Sequence, residues 1–129
     1  IRNKRGLAYQ VGINNENEID YGMFAVYAGL DKKNIEKAKD IILQQFRRLE
    51  NLSKNDLNEA KTYIEGNHTL QMEDNFHRAD NIAYWETIKD AKLAESYLKN
   101  IGKVTIDDVK RVAKKYLNDK YNLVVIEQE

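Results

Sequence analysis

Arg2-Asn3-Lys4-Arg5-Gly6-Leu7-Ala8-Tyr9-Gln10-Val11-Gly12-Ile13-Asn14 changes character at Gly6. Up to Arg5 the residues are polar and mostly basic, like the last turn of a helix. Cations favour a helix C-terminus, and Gly6 sits where a terminating glycine belongs. Beyond Gly6 the period becomes two: Leu7, Tyr9, Val11 and Ile13 fall on one side of an expected strand over Leu7 to Asn14. Asn14-Asn15-Glu16-Asn17-Glu18 reads as a polar turn. Tyr21 to Leu30 is apolar at both alternating sets, which predicts a second strand covered on both faces. The two strands form an expected antiparallel hairpin, about residues 7–30, with a longer loop.

Helical spacing takes over after the hairpin. Asp31 reads as an N-cap for a helix over Asn34 to Glu50, with Ile35, Ala38, Ile41, Ile42, Phe46 and Leu49 on one face. Ser53 with Asp56 has capping-box spacing for the next helix, whose inward stripe is Leu57, Ala60, Ile64 and Leu70. A third helix over Asn75 to Lys89 carries Phe76, Ala79, Ile82, Ala83 and Trp85. A fourth over Ala91 to Ile101 is expected to stop at Gly102. Thr105-Ile106-Asp107-Asp108 announces a fifth, with Val109, Val112, Ala113 and Tyr116 inward. The helices occupy about residues 34–117, and Tyr121 to Glu127 reads as a closing strand at about 121–127. Two strands, several helices and a strand predict an α+β fold, an antiparallel sheet covered by helices on one face, in a single domain over 1–129.

Bulk composition bounds the function. The chain has 129 residues, 21 basic and 21 acidic, so its net charge is zero. That balance gives no electrostatic reason to expect a nucleic-acid partner. There is no cysteine, hence no disulfide framework and no thiolate chemistry, which fits a reducing compartment such as the cytoplasm. No apolar run has membrane-spanning length. Proline is absent too, as suits long uninterrupted helices. The first residue is Ile1, not Met, so the helix containing Arg2 is expected to begin upstream and the domain to be N-terminally truncated.

Several collinear segments resemble the pitrilysin/insulinase (M16) zinc peptidases, which include the mitochondrial processing peptidases. Arg2-Asn3-Lys4-Arg5-Gly6-Leu7-Ala8-Tyr9 is similar to their R-x-K-R-G-L-A-Y segment. Tyr21 to Gly29 looks like the strand that follows it. Leu57-Asn58-Glu59-Ala60-Lys61 resembles their E-L-x-x-A-K helix, with Asp56 in place of the leading glutamate. Val104-Thr105-Ile106-Asp107-Asp108-Val109, then Ala113 to Leu117, resembles their V-T-x-x-D-V…A-x-K-Y-L segment.

The resemblance implies a C-terminal-type domain of the LuxS/MPP-like metallohydrolase fold. It implies a zinc-dependent endopeptidase as the parent, acting on peptides or unfolded polypeptides. The zinc would be bound by another domain through H-x-x-E-H, and none is expected in this segment. Its implied partners are a peptide substrate and other domains of the same chain or of a partner subunit. The residues implied to hold the substrate are Arg2 and Tyr9. An arginine fork can donate to peptide carbonyls, and a phenol can support a developing oxyanion. Such a segment would contain no catalytic residue and be inactive alone. Read without the resemblance, Arg2 is a helix-terminal charge and Tyr9 a strand aromatic packed with its hydroxyl satisfied. A non-catalytic partner subunit, or a structural interaction domain, would keep the same fold.

Other candidate sites are weaker. His68 and His77 are too far apart for an i,i+4 metal pair, and Glu73 and Asp74 between them would need the chain to bend to make a cluster. Trp85, Tyr84 and Phe76 read as core or inter-domain packing. A sheet whose earlier strands are missing is expected to offer an open edge for self-association.

Overall fold

The computed structural model describes residues 6–127. The fold is α+β: an antiparallel strand pair followed by five α-helices. The strands are β1 (Gln10–Asn17) and β2 (Gly22–Gly29). The helices are α1 (Ile35–Arg48), α2 (Lys54–Gln71), α3 (Asn75–Ile88), α4 (Leu93–Lys103) and α5 (Ile106–Tyr116). The described residues form two compact units, one of residues up to 50 with 112 onward, the other of residues 51–111.

In the first unit β1 pairs with β2 from Gln10↔Gly29 to Asn17↔Gly22. Glu18 N–H donates to the Tyr21 carbonyl at 2.9 Å, which leaves only Ile19 and Asp20 in the loop. The loop is therefore shorter than the polar run predicts, and Asn14 to Asn17 belong to the strand. The reason lies in exposure. Asn14, Asn15 and Asn17 are exposed, so polar side chains there cost little desolvation. Asn14 also donates to the Glu16 carboxylate at 2.7 Å. Gly12 has a specific task, because it lies opposite Tyr27 and a Cβ there would overlap the tyrosine ring and hydroxyl. The ring lies across the strand where a side chain would otherwise stand.

Phe24 of β2 meets Phe46 of α1 edge to face, with ring centroids 5.9 Å apart. Opposed ring edges and faces favour that geometry. The buried apolar residues are Leu7, Ala8, Ala38, Ile41 and Ala113, all in this unit. Ala38 and Ile41 come from the predicted stripe of α1, whose other members are half-buried. Short helical turns of three residues flank α1, Lys32–Asn34 before it and Leu49–Asn51 after it. Arg47 reaches Asp119 at 3.1 Å and Lys32 reaches Glu127 at 2.6 Å, tying the last residues back. Residues 121–127 pair with no strand among the described residues, where the sequence predicts a closing strand. Their apolar side chains are exposed, with no neighbouring strand there to take up their backbone groups.

The second unit is helical and hinges on Tyr97 of α4. Its ring lies 5.0 Å from His68 of α2 and 6.3 Å from Trp85 of α3. Lys61 of α2 donates to the Gly102 carbonyl at 2.7 Å. Trp85 packs as the sequence predicts, but Phe76 is 75% exposed and Ile82 is exposed as well. The apolar positions of α3 exceed what its helical neighbours cover. Gly102 lies inside α4, which runs on to Lys103 and does not stop at the glycine. The part of α5 from Val112 on belongs to the first unit, where Val112 and Tyr116 are exposed and Ala113 is buried. No helix among the described residues is long and apolar enough to cross a membrane.

Candidate functional site

Gly6 has φ +57°, a left-handed conformation that glycine adopts without steric cost. The chain turns there and then places Leu7 and Ala8 in the core. Asn34 strengthens the anchor by donating its side-chain amide to the Leu7 carbonyl at 3.4 Å. With two consecutive residues seated inside, the next side chain is thrown outward. Tyr9 is 70% exposed, so packing against the core does not account for its ring.

The Tyr9 backbone is held by the strand pair. Its N–H donates to the Gly29 carbonyl at 2.8 Å. Continuing the register one step beyond Gln10↔Gly29 sets Tyr9 opposite Leu30, diagonal to Asp31. The Tyr9 hydroxyl donates to Asp31 Oδ1 at 2.7 Å. The other carboxylate oxygen, Oδ2, lies 3.9 Å from the Lys33 ammonium. The hydrogen bond to Asp31, and then its negative charge, raise the Tyr9 pKa above the usual 10.0. Tyr9 therefore stays a neutral phenol through the physiological range.

Asp31 stands at the N-cap of the Lys32–Asn34 turn, with an extended backbone, as its place in the sequence predicts. Its side chain makes no capping hydrogen bond, although its backbone carbonyl accepts from Asn34 N–H at 2.8 Å. The carboxylate is taken up by Tyr9 instead. Sequence reading missed this partnership because the two residues are far apart in the chain. The available signal was the hairpin register. Arg2, the other expected substrate-holding residue, lies outside the described residues, as do Lys4 and Arg5.

The histidines do different work. Asp74 caps α3, accepting from Phe76 N–H at 2.8 Å and His77 N–H at 3.0 Å, with the His77 ring nitrogen Nδ1 at 3.2 Å. These contacts, those with His77 foremost, hold the Asp74 carboxyl below the usual carboxylate range. The His68 ring lies tilted against Tyr97, with ring centroids 5.0 Å apart. Among the described residues no three His, Asp or Glu side chains converge on a point where a metal ion could sit.

Comparison with known proteins gives a consistent picture. The family described as the Peptidase M16 inactive domain matches residues 1–64. An uncharacterized zinc protease of Streptomyces coelicolor is 29% identical over 98% of this chain and 28% of its own length. A probable inactive metalloprotease of Bacillus subtilis is 29% identical over 89% of this chain and 27% of its own length. The crystal structure of a protease from Helicobacter pylori superposes with a TM-score of 0.81 at 21% identity, covering 92% of this chain and 29% of that one. At that identity the likeness is one of fold. The chain thus spans a little over a quarter of the length of the relatives it matches.

Proposed function

Since the chain belongs to the M16 peptidase family, in its C-terminal type of domain, we propose that it holds a peptide for proteolysis and does not itself cut it. The corner from Gly6 to Asp31 is the gripping surface, with Tyr9 as its contact and Arg2 as the second contact that the sequence resemblance implies. One observation carries the reading. The hairpin anchors Leu7 and Ala8 and displays Tyr9, with its hydroxyl fixed at 2.7 Å from Asp31. An exposed aromatic ring with a fixed polar tip suits an extended peptide, because the ring covers apolar side-chain area while the oxygen reaches the backbone.

The described residues do not fit a zinc site, since no three ligands converge. Any zinc of the parent protein would be held by another domain, and the chemistry of this chain is binding and orientation. Holding a substrate in reacting geometry is itself a large catalytic effect, because it removes the entropic cost of encounter.

A second reading has specific support. The matching family is described as inactive, and the Bacillus subtilis relative is named as a probable inactive metalloprotease. The parent would then be a non-catalytic subunit that presents peptides to an active partner, or an interaction domain that keeps the fold. Both subunit readings need the same grip. Replacing Tyr9 by phenylalanine in the full-length protein removes one hydroxyl and keeps the ring. Loss of one hydrogen bond predicts peptide cleavage, or peptide binding where there is no cleavage, weakened about three- to tenfold. An unchanged rate and affinity with an intact fold would remove Tyr9 from the role.

A further inference from the structure

Tyr27 of β2 stands opposite Gly12 of β1. A Cβ on Gly12 would overlap three atoms of the tyrosine, its hydroxyl oxygen, Cζ and Cε1. Overlap with all three at once means that the ring lies broadside over the glycine, not edge-on. One ring face is therefore spent on the Gly12 backbone, an arrangement that steadies a glycine within a strand. The other face is open, since Tyr27 is 51% exposed. Phe24 and Tyr27 are three residues apart, so their side chains leave β2 on opposite faces of the strand pair. Phe24 meets Phe46 of α1, and the Tyr27 ring thus lies on the face turned away from that helix.

The charge on the hairpin has one sign. Residues 6–30 contain Glu16, Glu18 and Asp20 and no lysine or arginine, in a chain whose net charge is zero. None of the three carboxylates forms an ion pair among the described residues. Glu16 alternates onto the same face as Gly12, where Asn14 Nδ2 donates to its Oε1 at 2.7 Å. An open aromatic face attracts a cation through its quadrupole, and a planar guanidinium also stacks on it. A carboxylate on the same face adds to that attraction and opposes an anion.

We propose that Tyr27, laid flat over Gly12, is a stacking platform for the arginine side chain of an extended peptide, with Glu16 supplying the charge. The platform gives the held peptide a sequence preference and so rests on the peptide-holding reading. It requires no contact at Tyr9.

The probes are unstructured, fluorescein-labelled peptides of alternating Ala and Thr with one central guest residue: arginine, lysine, citrulline or alanine. Citrulline keeps the plane of arginine without its charge, and lysine keeps the charge without the plane. Fluorescence anisotropy with the full chain measures binding, and circular dichroism checks the fold. The arginine peptide is expected to bind about three- to tenfold tighter than the alanine peptide, with lysine and citrulline between them.

Tyr27→Phe keeps the ring and is expected to keep the preference. Tyr27→Leu removes the aromatic face and is expected to abolish it. Gly12→Ala displaces the ring and is expected to weaken it. Glu16→Gln is expected to weaken arginine and lysine binding and leave citrulline unchanged. A ring that only covers the glycine would leave the four peptides binding alike. That result overturns the platform and leaves the peptide-holding reading standing. An arginine preference that survives Tyr27→Leu places the cation elsewhere and overturns the platform too. Should Tyr27→Leu lose its fold, an arginine preference unchanged in both Gly12→Ala and Glu16→Gln has the same force. If the wild type binds none of the peptides, peptide holding fails and the platform falls with it.

Discussion

At the scale of single residues, the Tyr9–Asp31 pair has a titration that can be followed without any substrate. The hydrogen bond to the Asp31 carboxylate, and its charge, favour the protonated phenol and raise its pKa above 10.0. A group whose folded pKa is raised stabilises the fold fully below its unfolded value. That contribution is lost as pH climbs through the raised folded value. The pair is therefore intact at neutral pH and opens only in the alkaline range above 10.0. Selective labelling of tyrosine with ¹³C at the ring carbon bearing oxygen would resolve Tyr9 from the other seven of the eight tyrosines. The expected outcome is a Tyr9 midpoint above the ordinary value in the wild type and a return toward it in Asp31→Ala. A midpoint indifferent to Asp31 would mean that the two groups do not meet in solution.

At the scale of elements, the starts of α2, α3 and α5 rest on local side-chain caps. Ser53 Oγ accepts from Asp56 N–H at 3.1 Å, and Asp56 Oδ2 accepts from Ser53 N–H at 3.0 Å. Thr105 and Asp108 repeat the arrangement at the start of α5, at 3.2 and 3.1 Å. Hydrogen bonds from the Thr105 hydroxyl and N–H, with Arg111 3.2 Å away, lower the Asp108 pKa to about 2. A depressed carboxyl contributes stability above its unfolded pKa, here 3.8, and loses it as pH falls toward about 2. Thr105→Ala is expected to move the Asp108 titration up toward 3.8. It is also expected to destabilise the fold by about 1 kcal/mol at neutral pH, the usual cost of a lost cap. Carboxyl-carbon chemical shifts and thermal melts measure the two effects, and an unmoved Asp108 would refute the capping box. Both boxes were legible in the sequence because every partner lies within three residues. The strand ends were not. Where β1 stops depends on how tightly Ile19 and Asp20 turn, and four polar residues on an exposed strand look like a loop. The exposed Phe76 shows the same limit, because helical spacing identifies an apolar face without saying whether a neighbour covers it. The contact of Asp31 with Tyr9 was hidden as well, because only the strand register brings the two together.

At the scale of the whole chain, the apolar surface exceeds what the described residues cover. The sheet has two strands, so each has one edge without a strand partner among the described residues. Ile13 on β1 is exposed, as are Leu123, Val124 and Ile126 in the segment that forms no strand. Unpaired edges beside apolar side chains template pairing with another chain. Zero net charge supplies no long-range repulsion to prevent it. The relatives are more than three times longer, so in a protein of their length further chain is available to meet these surfaces. The 129-residue chain alone is expected to self-associate as its concentration rises, in sedimentation velocity near neutral pH. Val124 is 81% exposed, so Val124→Lys adds a charge there without disturbing the core. That variant is expected to shift the distribution toward monomer, because a lysine in the exposed apolar 121–127 segment opposes its pairing with another chain. A wild type that stays monomeric at every concentration would show that the exposed edges and the 121–127 segment do not drive association. Tyr9 lies next to the same hairpin, so association through the edges would compete with the proposed peptide contact at Tyr9. Binding measurements therefore belong at concentrations where the monomer dominates.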